Sequence, residues 1–206
     1  MSGKRRIYVA FPCHGSATPE TAHSLFMLGL YMGSHPEFEW VGFQRYSSSN
    51  LPHARTWLAQ NARDENHATH ILWVDSDMRF PSDSLHRLLA HGEKIVGCNY
   101  TRRAAPYTPS ALDLDEKIVY TRDDSTGLEA VGILGFGLLL TDVSVFDGLP
   151  HPWFAQLDAT GLCTEDVVWC KKVRAAGNTI WLDHKLSKEV GHIGSVAFTY
   201  RDAVGA

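Results

Sequence analysis

Short apolar runs alternate with longer amphipathic segments along the first half of the chain. The short runs are rich in branched and aromatic residues, which is typical of strands buried on both faces of a sheet. The longer segments carry apolar residues at helical spacing. The predicted strands are 7–11, 38–43, 71–74 and 95–98, and the predicted helices are 19–32, 51–66 and 81–91. This alternation predicts an α/β fold with a mostly parallel sheet and helices on both faces.

The pattern changes in the second half. Two short apolar runs flank a turn-rich segment, which predicts an antiparallel excursion able to cover a bound substrate. A glycine-punctuated strand follows, and its glycines favour close backbone packing over room for a sugar. A helix stopped by a C-cap glycine and a last core strand complete the domain. The two apolar runs are at 117–121 and 128–133, and the glycine-punctuated strand is at 132–140. The helix is predicted at 167–176 and the last strand at 179–182.

Composition narrows the class of protein. The 206 residues are 44% hydrophobic, enough for one domain with a substantial core. The net charge of -4 gives no general attraction to nucleic acid or anionic membranes. The four cysteines have neither zinc-ligand nor disulfide-framework spacing, so we expect reduced, mostly buried thiols. No apolar stretch has the length of a signal peptide or a transmembrane helix, and we therefore expect a cytosolic protein.

The richest candidate chemistry follows the third predicted strand, in THILWVDSDMRFP (69–81). Asp75, Ser76 and Asp77 lie where this strand leaves the sheet, the edge at which open α/β sheets bind ligands. Two crowded carboxylates repel each other unless a hard divalent cation neutralises them, and such a cation keeps positions free for phosphate. The pattern indicates a nucleotide-diphosphate site, although an Asp-rich turn that caps the next helix explains an isolated Asp-x-Asp equally well.

Other segments bring polar side chains toward the same edge. The loop after the first strand, with Pro12 and His14, is a candidate to hold the base or ribose of a nucleotide. Arg55, in the first turn of a helix, suits phosphate oxygens or the Asp75 carboxylate, and its ordinary alternative is a surface arginine. His192 lies between two glycines after a strand, which favours a metal or phosphate role over packing.

Glu165 and Asp166 open the predicted helix 167–176 behind Thr164, a good N-cap residue. Acidic residues in a first turn complement the helix dipole, so this pair by itself requires no function.

In their order and spacing these motifs resemble the GT-A glycosyltransferases, the single-domain type that uses nucleotide-diphosphate sugars. More narrowly, they resemble small bacterial and phage members with a strand ending in Asp-x-Asp. The ordered set is more specific than any one motif. The matching stretches are LPHARTWLAQNA (51–62), THILWVDSDMRFP (69–81), KIVGCNYTRR (94–103), VGILGFGLLL (131–140), GLCTEDVVWCKKVRAAGNTIWLD (161–183) and VGHIG (190–194).

The resemblance implies one GT-A domain over 1–206, with a nucleotide-binding half (1–103) and an acceptor and catalytic half (104–206). It implies metal-dependent transfer of a sugar from a nucleotide-diphosphate donor to an acceptor hydroxyl, in a bacterial cytoplasm or, for a phage protein, that of its host. Acceptors of such enzymes include glycans, lipid-linked sugars, proteins and modified bases of phage DNA. Because the chain is short for the family, a homo-oligomer in which a second subunit helps to bind the acceptor stays open.

The resemblance also implies roles for single residues. Asp77 would coordinate Mn2+ or Mg2+, with Asp75 contacting the ribose or reaching the metal through water, and His192 as a further ligand. Asp166, with Glu165 beside it, matches the acidic pair near the acceptor, where an inverting enzyme carries its general base. The residues expected to hold the nucleotide are Pro12, His14, Arg55, Asp75 and Ser76.

One other class stays open, and two further enzyme classes fit the sequence less well. A catalytically silent nucleotide-sugar or glycan-binding module would bind the donor without transfer or hydrolysis. An aspartyl phosphohydrolase places its Asp-x-Asp on the first strand, whereas this one lies on the third. A sugar nucleotidyltransferase needs an arginine in the first loop, and PCHGSATPE lacks it. For a DNA acceptor, Arg102 and Arg103 would line a groove and binding would weaken with salt.

Overall fold

A computed structural model describes residues 4–103, 106–158, 161–194 and 197–203. Its centre is a seven-stranded sheet with strand order β2-β1-β3-β7-β5-β10-β6. The strands of this sheet are β1 (Arg5–Pro12), β2 (Phe38–Tyr46), β3 (His70–Val74), β5 (Ile95–Gly97), β6 (Leu128–Val131), β7 (Leu138–Asp142) and β10 (Ile180–Asp183).

Most of the strands in this sheet run in one direction. β1 pairs in parallel with both β2 and β3, and β5 pairs in parallel with β10. β7 lies between β3 and β5 and is antiparallel to both, and β6 closes the sheet antiparallel to β10. The predicted architecture, a mostly parallel sheet with an antiparallel portion in the second half, is therefore confirmed.

Helices cover both faces of the sheet, as expected. Leu28 and Met32 of α1 and Leu85 and Leu88 of α3 pack on one face, and residues of α2 and α4 pack on the other. The second face includes Trp169 of α4, and Trp73 of β3 points into the same cluster. The helices are α1 (Pro19–Gly33), α2 (Leu51–Gln60), α3 (Ser84–Ala90), α4 (Glu165–Ala175) and α5 (His184–Ser187), and α2 continues into a π-helical turn (Asn61–Glu65).

Short antiparallel pairings complete the described structure. The strands β4 (Met78–Arg79), β11 (Gly191–Ile193) and β12 (Ala197–Phe198) form one small sheet with β11 in the middle. The strands β8 (Leu157–Asp158) and β9 (Gly161–Leu162) form a hairpin before α4. Because β11 pairs with β4 directly after the Asp-x-Asp turn, the small sheet carries the C-terminal histidine to the edge where β3 ends.

Two predicted strands are wrong in extent. The segment 117–121 forms no regular strand and makes only a single bridge between Leu112 and Ile118. The strand predicted at 132–140 begins only at Leu138, because the backbone before it passes closely around Tyr100 and leaves the ladder.

Among the described residues, no helix is long and apolar enough to cross a membrane.

The glycines before β7 are required by close packing, as the sequence favoured. A Cβ on Gly137 would lie 2.7 Å from the ring of Tyr100 and 2.8 Å from the sulfur of Met78. The Gly137 N–H also donates to the Tyr100 phenol oxygen at 3.1 Å. Gly137 therefore sets the position of Tyr100, which lines the candidate site described below.

Gly137→Ala should lower the free energy of unfolding by about 1–3 kcal/mol, because the added methyl overpacks a buried ring and a buried sulfur. The matched control is Gly29→Ala in α1, where a new Cβ has no neighbour within 4 Å. That change should instead stabilise the protein by roughly 0.5–1 kcal/mol through helix propensity. Urea unfolding of both variants measures the two effects, and equal effects of the same sign would contradict the packing role of Gly137.

Candidate nucleotide and metal site

A cavity of about 480 Å³ opens at the carboxyl ends of the parallel strands. Its walls come from the segments that follow β1, β2, β3 and β5, and from β11. Parallel strands bring these segments together because their carboxyl ends share one edge of the sheet. The lining residues are Pro12, Cys13, His14, Ser48, Ser49, Leu51, Asp75, Ser76, Asp77, Tyr100, Arg103 and His192.

Asp77 and His192 face each other in this cavity. The His192 Nε2 lies 3.4 Å from the Asp77 Oδ1, and the Ile193 N–H donates to the Asp77 carbonyl at 2.6 Å. The His192 Nδ1 lies 3.0 Å from the Thr101 carbonyl oxygen. Because a carbonyl only accepts hydrogen bonds, Nδ1 carries a proton, so Nε2 either donates a second proton to the carboxylate or, in a neutral ring, faces it with a lone pair. Two facing acceptors need a proton or a cation between them.

Arg103 also holds Asp77. Its Nη2 lies 2.8 Å from the Asp77 Oδ2, and its Nη1 donates to the Ile193 carbonyl at 3.2 Å. Burial by itself would raise the pKa of Asp77, but the hydrogen bond from His192 and the charges of His192 and Arg103 outweigh it, so the pKa is lowered. Asp77 is therefore a persistent anion at the centre of the cavity.

Behind the cavity, a buried arginine joins two carboxylates. Arg55 is 2% exposed, and it donates through Nη2 to Asp75 and through Nε to Glu165, both at 3.0 Å. Its guanidinium lies over the ring of Phe136, 4.7 Å from the centroid. Arg55 lines neither this cavity nor the one described next. Of the two partners that the sequence offered Arg55, the geometry gives it the carboxylate, and we assign it a positioning role.

Burial is the largest influence on the pKa values of Arg55, Asp75 and Glu165. Burial raises the pKa of Asp75, which Arg55 lowers and Asp77 raises further, and the pKa ends above its usual range. The pKa of Glu165 is raised in the same way, by burial and by Asp166 against the effect of Arg55. Burial would lower the pKa of Arg55, but the surrounding carboxylates raise it above its ordinary value. The arginine therefore stays charged and compensates the two carboxylates.

A second cavity, of about 440 Å³, adjoins the first. The two share a wall made of Tyr100, Arg103 and His192, and the second is completed by Arg102, Ser110 and Asp166. Burial, followed by the charges of Asp75 and Asp166, raises the pKa of Tyr100 well above its usual value, so the phenol in the wall stays neutral.

Asp166 is held by its own helix turn. Its Oδ1 accepts hydrogen bonds from the Thr164 hydroxyl and, at 2.8 Å, from the Val167 N–H. Thr164 occupies the N-cap position of α4, as expected, but its hydroxyl binds Asp166 and makes no capping bond to the backbone. Within the described part of the chain, the Asp166 Oδ2 has no partner and is available to a ligand.

The structure brings most of the predicted site residues together. Pro12, His14, Asp75, Ser76, Asp77 and His192 line the first cavity. Asp166 lies in the second cavity. Glu165, the other residue of the predicted acidic pair, is buried against Arg55 and does not line that cavity. The sequence analysis missed Tyr100 as a wall and Arg103 as the counter-ion of Asp77. Their position just after the fourth predicted strand was the available signal, because the carboxyl ends of parallel strands meet at one edge of the sheet.

The residues present fit a divalent ion held by two protein ligands. The described residues contain no group of three or more His, Cys, Asp or Glu side chains able to hold a metal. Asp77 and His192 supply one oxygen and one nitrogen, and the Asp75 Oδ1 is bound by Arg55. Mg2+ sites of this kind use one or two carboxylates and take further oxygens from substrate phosphates and water. A metal here would depend on the phosphates of a ligand.

Comparison with known proteins bears on the fold. No family model matches the sequence, and no curated protein matches it. The structure is similar to the crystal structure of A197 from STIV, with a TM-score of 0.60 and 13% identity over 92% of this chain and 86% of that one. It is also similar to the crystal structure of GalNAc-T7 with UDP, GalNAc and Mn2+, with a TM-score of 0.55 and 16% identity over 94% of this chain and 44% of that one.

The architecture is therefore that of a GT-A fold, as the sequence predicted. At these identities the likeness concerns the fold alone, and this chain spans less than half of the length of GalNAc-T7. The narrower likeness to small bacterial and phage members stays a prediction.

Proposed function

We propose that this protein is a metal-dependent glycosyltransferase that moves a sugar from a nucleotide diphosphate to an acceptor hydroxyl. The observation that carries the proposal is the Asp77–His192 pair, placed in a cavity at the carboxyl ends of the strands of a GT-A fold. The similar GalNAc-T7 structure contains UDP, GalNAc and Mn2+, which supports a nucleotide sugar and a divalent ion as ligands here.

In this proposal the first cavity binds the donor. The loop with Pro12 and His14 contacts the base or ribose, and Asp75 and Ser76 contact the ribose side. Asp77 and His192 would hold Mn2+ or Mg2+, and the bound ion would stabilise the negative charge that develops on the departing diphosphate. Arg103 releases Asp77 and donates to the diphosphate oxygens, because its fork suits phosphate as well as carboxylate.

The transfer step uses the second cavity for the acceptor. The acceptor oxygen forms a bond to the anomeric carbon while the bond from that carbon to the diphosphate breaks. The electron pair of the broken bond leaves with the diphosphate, and the acceptor proton passes to the Asp166 carboxylate. A carboxylate within hydrogen-bond reach raises the reactivity of a hydroxyl, which is a weak nucleophile near neutral pH. With Asp166 as base, the product has inverted anomeric configuration.

The experiment is a ligand panel followed by product analysis. Nucleoside diphosphates and nucleotide sugars are added with and without Mn2+, and the melting temperature is recorded. One base should give a metal-dependent increase, because a ligand of the folded state stabilises it by mass action. The matching nucleotide sugar is then incubated with a panel of acceptors, and mass spectrometry detects transfer or slow hydrolysis. A protein that binds no nucleotide with metal present would contradict the donor site.

Asp166→Asn should lower the rate of transfer by about 10²–10⁴-fold, the usual contribution of a general base, while donor affinity stays unchanged. The amide keeps the hydrogen bonds of the side chain with nearly the same shape but cannot take a proton. The rate of transfer and the Kd of the nucleotide are the two measurements. Glu165→Gln is the matched control, since Glu165 does not face the cavity. Near-full transfer by Asp166→Asn would place the base elsewhere.

The second candidate is a module that binds a nucleotide sugar without turning it over. The observation in its favour is the ion pair between Arg103 and Asp77, which by itself compensates the charge of this carboxylate. Such a module would bind nucleotide equally well with and without Mn2+, and would give neither transfer nor hydrolysis in the same panel.

A further inference from the structure

Two adjacent arginines, Arg102 and Arg103, differ in the cavities that they line. Arg103 lies in the wall common to both and is bound to Asp77, whereas Arg102 lines only the second cavity. Arg102 is exposed, and within the described residues its guanidinium has no ion pair or hydrogen bond. Its backbone is nevertheless anchored, because the Arg102 N–H donates to the Thr108 carbonyl at 2.9 Å. The second cavity therefore contains a positive group that no described residue compensates.

Two residues of opposite charge line this cavity. Asp166 lies in the same cavity as Arg102, but the two side chains form no ion pair. The charge of Arg103 is compensated by Asp77 in this structure and by the diphosphate in the proposed reaction, so among the described residues Arg102 and the Asp166 Oδ2 are the two groups left for a ligand. An anionic group would be repelled by Asp166 and attracted by Arg102. A ligand that satisfies both groups carries a hydroxyl at one end and an oxyanion at the other.

From this arrangement we infer that the second cavity binds an anionic sugar, with a phosphate or carboxylate on Arg102 and a hydroxyl on Asp166. The inference rests on the proposed function, since it assigns the acceptor of that reaction. The guanidinium fork donates two parallel hydrogen bonds to a phosphate or a carboxylate, which a neutral sugar cannot match. A volume of about 440 Å³ lies within the range of small-molecule sites and accommodates a single sugar with its charged group.

The two cavities meet along residues that they share. Tyr100, Arg103 and His192 line both of them, and the rings of Tyr100 and His192 make an edge contact with centroids 5.2 Å apart. Asp166 lines only the second cavity and Asp77 only the first, whereas His192 lines both. Neutral sugars would still reach Asp166 but would lack the contact to Arg102, so Arg102 determines acceptor specificity and does not take part in the bond changes.

The test measures binding to protein whose donor cavity is filled by saturating nucleoside diphosphate and Mn2+. Glucose, glucose 1-phosphate, glucuronic acid and a short single-stranded oligonucleotide are the probes, and isothermal titration calorimetry gives their Kd values. At least one anionic sugar should bind about 10-fold to 100-fold more tightly than glucose, the range of a charge-assisted hydrogen-bond pair. Comparing phosphate with carboxylate identifies the group that Arg102 prefers.

Two variants make the result specific. Arg102→Gln should remove the preference for the anionic sugar and leave nucleotide affinity unchanged. Arg122→Gln removes the same charge from an arginine that lines neither cavity, and should have no effect on either. The preference should also survive at 150 mM salt, since a bidentate contact is screened less than a distant charge.

Several outcomes would overturn the inference without affecting the donor site. These are equal binding of glucose and the anionic sugars, equal losses in Arg102→Gln and Arg122→Gln, or binding of the oligonucleotide alone, which would make the acceptor a nucleic acid. Failure of the proposed function has a different signature, because the wild-type protein would then bind no nucleoside diphosphate in the first step.

Discussion

Asp77→Asn should abolish metal-dependent nucleotide binding and reduce transfer by more than about 100-fold. The amide has nearly the shape of the carboxylate but no charge, so the metal loses its only anionic protein ligand while His192 remains. Loss of a single preorganised charge-stabilising group at a reacting centre typically costs about 10²–10³ in rate, and here the effect on metal affinity adds to it. The thermal-shift panel with and without Mn2+ measures binding, and mass spectrometry of the product measures transfer.

The folded state of this variant needs its own control. The pKa of Asp77 is lowered in the folded protein, so its charge contributes stability that is present above the ordinary pKa of aspartate and disappears as the pH falls through the lowered value. Asp77→Asn removes that contribution, and circular dichroism checks that the fold persists. Asp115→Asn, at a carboxylate 75% exposed, is the matched control and should bind nucleotide normally. Near-full transfer by folded Asp77→Asn would refute metal catalysis at this site.

Arg55→Met should produce the largest loss of stability among the changes considered. Removal of one partner from a buried ion pair costs about 3–5 kcal/mol, because the remaining charges stay buried without compensation. Here two carboxylates, Asp75 and Glu165, would lose their common partner. For a domain of this size we expect the melting temperature to fall by roughly 6–20 °C. Urea unfolding at pH 7.5 gives the free energy.

The loss should depend on pH in a defined direction. The pKa values of Asp75 and Glu165 are already raised by burial, and loss of Arg55 removes what lowers them. A raised carboxyl pKa means that ionisation disfavours the folded state. This cost is fully present above the folded pKa and vanishes as the pH falls below about 4, the value in the unfolded chain. The gap between variant and wild type should therefore be largest near pH 7.5 and narrow toward pH 4.5.

Two further variants separate charge from packing. Arg55→Met combined with Glu165→Gln should recover part of the lost stability, since one of the uncompensated charges is then removed. Arg87→Met breaks the partly exposed pair with Glu189 and should cost about 1 kcal/mol or less. If Arg55→Met costs no more than this control, the buried network does not hold the site together.

The spacing of apolar residues in the sequence was sufficient to predict the helix and sheet layers of this fold. Helices and strands form mainly through interactions between residues that are close in the sequence, and this spacing reflects them. A continuous apolar run such as 71–74 is buried favourably only in the centre of a sheet that is covered on both faces. All four of these residues are fully buried. The same reasoning failed at 132–140, where regular spacing continued but the chain bends around Tyr100. The bend results from a contact with a side chain that is distant in the sequence, so the local spacing of apolar residues could not predict it.

The sequence by itself determined the α/β layers and the position of Asp75, Ser76 and Asp77 at a strand end. Only the tertiary structure decided which partners those residues have. Arg55 reaches Glu165 across 110 positions of sequence, and it faces inward where a surface arginine was the alternative expectation. Arg102 and Arg103 are identical in type and adjacent, yet Arg103 compensates Asp77 and Arg102 has no ion pair with any described residue. Local propensity acts over a few residues, whereas charge pairing depends on which distant segments the packed core brings within about 3 Å.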